Sequence, residues 1–121
     1  MSRHYTTEQI ARVAWAVKQA MQDILGDAHV SPPWWTISAA DKAEFLGAVK
    51  LALGGITPRQ LHESWMAYKF ASGWRYGEKV DDVEKTHPYL VDWDQLTPQQ
   101  RDKDRMFCAV ARCLGNREAH E

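Results

Sequence analysis

Thr57-Pro58-Arg59-Gln60 and Thr97-Pro98-Gln99-Gln100 share one pattern, and this pattern decides the fold prediction. In each segment Thr is placed to cap a helix, Pro takes the first helical position, and Gln follows three residues after the cap. Both segments therefore predict the start of a helix. Gly73 is predicted to end the earlier helix and Gly115 the later one, because glycine commonly follows a helix C-terminus.

Two further helices are predicted upstream. The first starts at Thr6, again with Gln three residues later, and its apolar residues recur at helical period until Gly26-Asp27. The next segment, Pro32-Pro33-Trp34-Trp35, is incompatible with a helix, and we expect its Trp pair to fold back onto the helices. The second helix is predicted from Ser38 to Gly54-Gly55.

The segment between the third and fourth helices lacks helical periodicity, and segments of this kind are often functional. Within it, Arg75-Tyr76 and Leu90-Val91 are predicted to form two short strands. The predicted fold is therefore mainly α, with about four helices and a short two-stranded β ribbon between the last two. At 121 residues the chain is predicted to be a single domain, residues 1–121.

Composition and net charge limit the classes of function that fit the sequence. Hydrophobic residues make up 45% and charged residues 26%, which is typical of a globular protein. The net charge of -1 argues against duplex nucleic acid as a partner, because such binders are usually basic. No apolar run approaches membrane-spanning length and the N-terminus does not resemble a signal region, so we expect no membrane association and a cytoplasmic location.

No metal or cofactor site is predicted. Cys108 and Cys113 lie five residues apart in a helical pattern, so they point apart, and we expect both to be buried and reduced. His62-Glu63 lacks the second His of a helical zinc motif, because Met66 takes that place. The acidic pairs, such as Asp81-Asp82, lack the Gly and distal Glu of a calcium loop.

Aromatic residues and cations alternate around Gly73-Trp74-Arg75-Tyr76-Gly77. Trp65 and Lys69 lie one helical turn apart just before it, on one face of the third helix. Either Trp65 stacks on the base of a ligand while Lys69 meets its phosphate, or Trp65 is a core residue and Lys69 extends into solvent. Trp74 and Tyr76 share one side of an extended segment, which faces either the core or a pocket.

Three further residues complete the candidate ligand-binding set. Lys85 and His87 have the chemistry to bind phosphate, although Lys85 is also consistent with a solvated loop charge and His87 with a hydrogen bond that fixes the turn before Pro88. His62 precedes Trp65 by three residues and reaches the same face, where it acts either on a ligand or as a structural residue.

The second half of the chain resembles the RyR domain, the module found in pairs in ryanodine receptors and alone in many small bacterial and bacteriophage proteins. The residues that carry the resemblance are His62-Glu63-Ser64-Trp65, Lys69, Gly73-Trp74-Arg75-Tyr76-Gly77, Asp81-Asp82, Lys85-Thr86-His87-Pro88, Leu90-Val91, Leu96 and Asp104-Arg105. The resemblance is strongest over residues 61–114. Residues 1–56 then form an N-terminal helical extension similar to that of the short phage forms, and residues 116–121 a frayed tail.

Two departures from the family pattern affect ligand identity. The phage forms often have His and Asn on the first helix, where this chain has Trp15 and Lys18, and the family often has Pro where Asp92 stands. The resemblance implies a mostly helical fold with a short β ribbon. It also implies a non-enzymatic protein that binds a nucleotide or nucleotide-derived signal, and a homodimer that restores the paired receptor arrangement.

Three functions remain open on the sequence. The first is nucleotide binding, which in a phage would sequester a messenger of host defence. The second is a protein–protein interaction module that binds a host or phage protein through its Trp-rich surface, including Trp34-Trp35. The third, an enzyme acting on a nucleotide or peptide, depends on His62, Glu63 and His87, and no nucleophile signature supports it.

Overall fold

The computed structural model describes residues 4–115. In chain order the elements are α1 (Thr7–Ile24), α2 (Ala39–Leu53), α3 (Pro58–Ala71), β1 (Arg75–Tyr76), β2 (Thr86–His87) and α4 (Pro98–Gly115). The predicted fold class, four helices with a two-stranded sheet between the last two, is confirmed. The predicted tail, residues 116–121, lies outside the described residues. Over the described range, no helix is both long enough and apolar enough to cross a membrane.

The predicted helix starts are built from local hydrogen bonds. At α1 the Thr6 hydroxyl accepts the Gln9 N–H at 3.1 Å, and the Gln9 side chain accepts the Thr6 N–H at 2.9 Å. Thr57 and Gln60 form the same reciprocal pair at α3, and the Thr97 hydroxyl accepts a backbone N–H at the start of α4. These bonds satisfy N–H groups that a helix terminus leaves without partners.

All four helices contribute to one apolar core. Its buried members are Ile10, Ala11, Ala14, Trp15, Trp34, Phe45, Val49, Ala52, Leu61, Cys108 and Ala111. The rings of Trp15, Trp34 and Phe45 meet edge to face, with centroids 4.9 to 5.9 Å apart. Small side chains on α1 and α4 let these two helices pack closely. The first two helices therefore form part of the same hydrophobic interior as the last two.

The tandem tryptophans behave differently from each other. Trp34 is buried in the core, and the Trp15 indole N–H donates to the Pro32 carbonyl beside it at 2.8 Å. Trp35 is 78% exposed, so the expectation that both rings fold back is wrong for this residue. The short 3₁₀ segment Trp34–Thr36 explains the difference, because neighbouring side chains on such a turn point in different directions.

The second strand is not where the sequence placed it. It is Thr86–His87, which pairs with β1 in parallel, and not Leu90-Val91. The Asp81 carboxylate accepts two backbone N–H groups two and three residues ahead, and this turn brings Thr86 back beside β1. Leu90 is buried, with 4% of its surface exposed, but it does not belong to a strand. The apolar pattern at this position therefore indicated burial and not strand pairing.

Two glycines allow the chain to pass close to itself here. Gly73 adopts φ +87°, a left-handed conformation that lets the chain leave α3. A Cβ placed on Gly77 would lie 2.5 Å from the Thr86 Cβ, so any side chain at this position would push β1 and β2 apart. Together they fix the path of the segment that carries Trp74 and His87.

The two cysteines are free, as predicted, but only one is buried. Cys108 lies in the core with its thiol 3.9 Å from the Ile56 carbonyl, and burial raises its pKa. Cys113 is exposed on α4, so the prediction that both would be buried is wrong for Cys113. Five residues make 1.4 helical turns, which places the two thiols on different sides of the helix.

Candidate functional site

One face of α3 supplies the first part of the site. His62, Trp65 and Lys69 follow each other at spacings of three and four residues, so their side chains lie along one stripe. The His62 and Trp65 rings stack with centroids 5.8 Å apart. The sequence prediction that these residues share a face is confirmed.

The segment after α3 supplies the second part. The His87 ring meets the Trp65 indole edge to face at 4.9 Å and approaches Trp74 at 6.5 Å. The Nδ1 atom of His87 accepts the Tyr89 backbone N–H at 3.1 Å. This bond fixes the turn at Pro88, as one reading of the sequence predicted.

Two lysine ammonium groups lie against aromatic rings at this place. The Lys69 Nζ is 4.4 Å from the Trp74 ring centroid. The Lys18 Nζ on α1 is 4.5 Å from the Trp15 ring and 5.7 Å from the Phe45 ring. Such contacts hold a cation by its attraction to the negative face of the ring. Lys18 lies close enough to Lys69 and His87 for their charges to interact, and we call Lys18, Trp65, Lys69, Trp74 and His87 the lysine–aromatic site.

Neither ammonium group of this site forms an ion pair with any residue that the structure describes. Within residues 4–115 no carboxylate oxygen lies within 4.0 Å of the Nζ atom of Lys18 or Lys69. By contrast, the Lys103 ammonium forms an ion pair with Asp27 in a partly buried position. All five members of the lysine–aromatic site keep part of their surface exposed to solvent.

Burial sets the electrostatics of the cations. It lowers the pKa of Lys18, and the nearby positive charges of Lys69 and Lys103 act in the same direction, while Glu44 and Asp104 oppose them. The lowered pKa records the cost of holding a charge that is removed from water and has no close partner. An anion bound between these cations would offset that cost.

The nearby carboxylates are themselves resistant to ionisation. Burial raises the pKa of Glu44, and it raises the pKa of Asp104 to about 7, although Lys18 opposes the shift in both cases. At neutral pH Asp104 therefore carries only part of a negative charge. The carboxylates neutralise the two lysines incompletely.

His87 is neutral at physiological pH. Burial, followed by the positive charges of Lys69 and Lys18, lowers its pKa to about 4. Because Nδ1 accepts the Tyr89 N–H, the single ring proton is on Nε2. The residue therefore offers the site an uncharged N–H donor and no additional positive charge.

His62 is a buried residue that stacks on the Trp65 ring of the site. It is 4% exposed, and its Nε2 lies 2.7 Å from the Val91 carbonyl, which can only accept a hydrogen bond. Nε2 must therefore carry a proton, and Nδ1 faces the Asp104 carboxylate at 4.0 Å. This burial matches the reading of His62 as a structural residue that holds the Trp65 ring in place.

Two of the predicted ligand-binding residues lie apart from the others. Tyr76 is 55% exposed on β1, so it does not share the partly buried environment of Trp74. Lys85 is exposed, has φ +56°, and its Nζ donates to the Ser72 carbonyl at the end of α3 at 3.0 Å. The structure brings together Trp65, Lys69, Trp74, His87 and His62, but not these two residues.

Three charged residues near the site were missed by the sequence prediction. Lys18 follows Ala11 and Ala14 at helical spacing, and Asp104 precedes Cys108 by four residues, so both lie on buried stripes. The surface ion pair of this part of α4 joins Asp102 to Arg105 at 2.9 Å and does not include Asp104. The third residue is Glu44 on α2. Helical spacing was the signal in the sequence that pointed to the burial of Lys18 and Asp104, and the prediction did not use it.

Two surface depressions lie elsewhere. One, of about 320 Å³, is an apolar groove between α1 and α4. The other, of about 250 Å³, lies beside Trp35 and contains Arg12. Among the described residues, no group of three or more His, Cys, Asp or Glu side chains is arranged to hold a metal ion. The cation-rich lysine–aromatic site is therefore the place whose chemistry suits an anion.

The RyR domain family matches this chain over residues 55–113. The chain carries a RyR domain. The matched range begins just before α3 and ends near the end of α4, so the RyR domain supplies Trp65, Lys69, Trp74 and His87. Lys18 comes from α1, outside the matched residues. The lysine–aromatic site therefore lies where the N-terminal helices meet the RyR domain.

Proposed function

We propose that this protein binds a small anionic ligand of the nucleotide class in the lysine–aromatic site. The observation that carries the proposal is a pair of ammonium groups, Lys18 against the Trp15 ring and Lys69 against the Trp74 ring, with no carboxylate oxygen of residues 4–115 within 4.0 Å of either. Phosphate oxygens accept hydrogen bonds from ammonium groups, and aromatic rings favour contact with a planar base. Nucleotides combine both features in one molecule.

The proposal is for binding without catalysis. His62, one of the three residues on which the enzymatic alternative depends, is buried and hydrogen-bonded to the Val91 carbonyl. A general acid or base must reach the reacting group directly or through one water. We therefore expect a bound nucleotide to be recovered intact by chromatography after hours of incubation, whereas conversion to a product would support the enzymatic alternative.

We also propose a setting and an assembly that depend on the family resemblance. The protein acts in the cytoplasm of a bacterial host, where a phage-encoded copy sequesters a nucleotide-derived defence messenger. It forms a homodimer, which restores the pairing of RyR modules in the receptors. Light scattering is expected to give twice the mass of one 13.9 kDa chain, and a monomer mass at micromolar concentration would contradict the dimer.

Thermal shift followed by calorimetric titration tests the binding. The ligands are linear and cyclic nucleotides, ADP-ribose derivatives and free phosphate. A ligand at a hundredfold excess over its Kd stabilises the fold by about 2.7 kcal/mol, so one class is expected to raise the melting temperature clearly. A flat response from folded protein would count against the proposal.

A matched pair of variants locates the binding. Lys69→Met keeps the length of the side chain but removes its charge, and is expected to weaken binding by about tenfold or more, the usual effect of losing a charged hydrogen bond. Lys50→Met makes the same change at an exposed position on α2 and is expected to leave the affinity unchanged. Equal affinity in the two variants would refute the site assignment.

A protein-interaction module is the second candidate, favoured by one observation. Trp35 is 78% exposed, which is unusual for a large aromatic residue on a surface without a partner. Under this proposal Trp35 would contact a host or phage protein. An identified partner that binds the native protein but not a folded Trp35→Ala variant would support it, and a partner that binds both equally would not.

A further inference from the structure

The anionic part of the ligand is constrained by the charges around the lysine–aromatic site. Lys18 on α1 and Lys69 on α3 approach the site from different helices, and each ammonium group lies 4.4 to 4.5 Å from an aromatic ring centroid. Both side chains are partly buried, so they lack the freedom of surface lysines. Two cations are thus held on separate helices, close enough for the charge of Lys69 to act on Lys18.

The negative charge available to these cations is small. The third nearby lysine, Lys103, is already paired with Asp27. Glu44 and Asp104 act on Lys18 through space but form no ion pair with it, and burial raises the pKa of both carboxyl groups. His87 is neutral and carries its ring proton on Nε2, because Nδ1 accepts the Tyr89 N–H. The site therefore has room for more than one negative charge.

We infer that the ligand presents a phosphate dianion or a diphosphate to Lys18 and Lys69, so that this protein prefers nucleoside monophosphates and diphosphates to nucleosides and cyclic phosphodiesters. This inference rests on the proposed nucleotide-binding function. A phosphate monoester carries about -1.5 to -2 charges at pH 7 and can neutralise both ammonium groups. A cyclic phosphodiester carries a single charge and leaves one cation without a partner.

The inference gives the N-terminal helices a role in ligand selection. Lys18 lies outside residues 55–113, so the matched RyR domain alone supplies only one of the two cations. Removing Lys18 is expected to remove the preference for the dianion while leaving the contacts of Trp65, Trp74 and Lys69 in place. The loss of selectivity is therefore more informative than the loss of affinity.

Calorimetric titration at pH 7 tests this selectivity. Adenosine, 5′-AMP, ADP and 3′,5′-cyclic AMP are compared, together with the corresponding guanosine, cytidine and uridine series and inorganic pyrophosphate. In the native protein the 5′-phosphates are expected to bind about tenfold or more tightly than the matched cyclic phosphates. Lys18→Met is expected to reduce that ratio to about threefold or less, and Lys50→Met to leave it unchanged.

Folding of each variant is checked by circular dichroism, and Lys18→Arg, which keeps the charge, replaces Lys18→Met as the informative variant if the latter unfolds. Lys18→Arg is then expected to retain the tenfold preference.

Cyclic phosphates that bind as tightly as the 5′-phosphates, or a preference that survives Lys18→Met, would overturn the inference while leaving nucleotide binding intact. Binding of pyrophosphate that depends on Lys18, without binding of any nucleotide, would refute the nucleotide function and keep the anion site. No binding of any compound would overturn both.

Discussion

At the scale of single residues, the pKa values of two groups at or beside the lysine–aromatic site are shifted in opposite directions. Asp104 is held towards its protonated form, with a pKa of about 7, and His87 towards its neutral form, with a pKa of about 4. Burial causes both shifts, because removal from water disfavours whichever form is charged. The result is a site whose own side chains carry little charge other than that of its lysines.

Asp104 makes the stability of the fold depend on pH in a predictable direction. Its folded pKa of about 7 exceeds the unfolded value of 3.8, so the native state binds more protons between these values and loses stability as the pH rises. The shift of His87, from 6.5 down to about 4, acts in the opposite direction over pH 4 to 6.5.

Asp104→Asn isolates the first contribution. The free energy of unfolding of the native protein minus that of Asp104→Asn, measured in urea, is expected to fall as the pH rises from 4 to 7. The slope is at most about 1.4 kcal/mol per pH unit for one proton. A difference that is constant with pH, or one that rises, would contradict the assigned shift.

Lys85 is expected to contribute to the backbone path and not to the ligand. Its φ of +56° is unfavourable for a residue with a Cβ, and its ammonium donates to the Ser72 carbonyl. Lys85→Gly relieves the strain but loses this bond and adds freedom to the unfolded chain. The free energy of unfolding is therefore expected to change by less than about 1 kcal/mol. Nucleotide affinity, measured in parallel, is expected to stay within threefold of the native value, which is the usual spread of such a measurement. A tenfold loss of affinity would show that Lys85 does contribute to ligand binding.

At the scale of elements, structure that depends on residues close in sequence was predicted correctly, whereas structure that depends on residues distant in sequence was not. The helix starts at Thr6 and Thr57 were predicted correctly because each depends on a hydrogen-bonding pair only three residues apart. The second strand was misplaced because its pairing depends on the Asp81 turn, which the apolar pattern of Leu90-Val91 does not reveal. Lys18 was seen only as a departure from the family pattern, since its neighbours in the fold are distant in sequence.

Two glycine substitutions test how closely the chain packs at the two-stranded sheet. Gly77→Ala places a Cβ 2.5 Å from the Thr86 Cβ, and is expected to lower the free energy of unfolding by about 1–3 kcal/mol, the usual cost of overpacking. Gly47→Ala is the control, because a Cβ there meets nothing within 4 Å and alanine favours the helix by about 0.5–1 kcal/mol. Equal melting temperatures for the two variants would contradict the close contact.

At the scale of the whole molecule, the limits of the RyR domain match do not coincide with the limits of the hydrophobic core. The match starts at residue 55, yet the core includes Ile10 and Ala14 from α1 and Phe45 and Val49 from α2. Cys108 and Ala111 of α4 are fully buried within this shared core. The N-terminal helices are therefore needed to cover apolar surface of the matched segment.

A fragment of residues 55–115 is accordingly expected to lack a cooperative unfolding transition. Without α1 and α2 it exposes the apolar faces of α3 and α4, and a chain of this size has little other core to compensate. Circular dichroism during heating checks this, with the full chain of 121 residues as the folded control. A sharp transition in the fragment would show that the matched range folds by itself.

The unequal burial of the two cysteines provides a chemical probe of folding. A maleimide or iodoacetamide reagent should attach to Cys113 in the native protein and leave Cys108 unmodified, because the Cys108 thiol is buried with a raised pKa. The end of α4 can therefore carry one fluorophore without mutagenesis. Under native conditions, the rate at which a second label appears by mass spectrometry would report how often the interior opens.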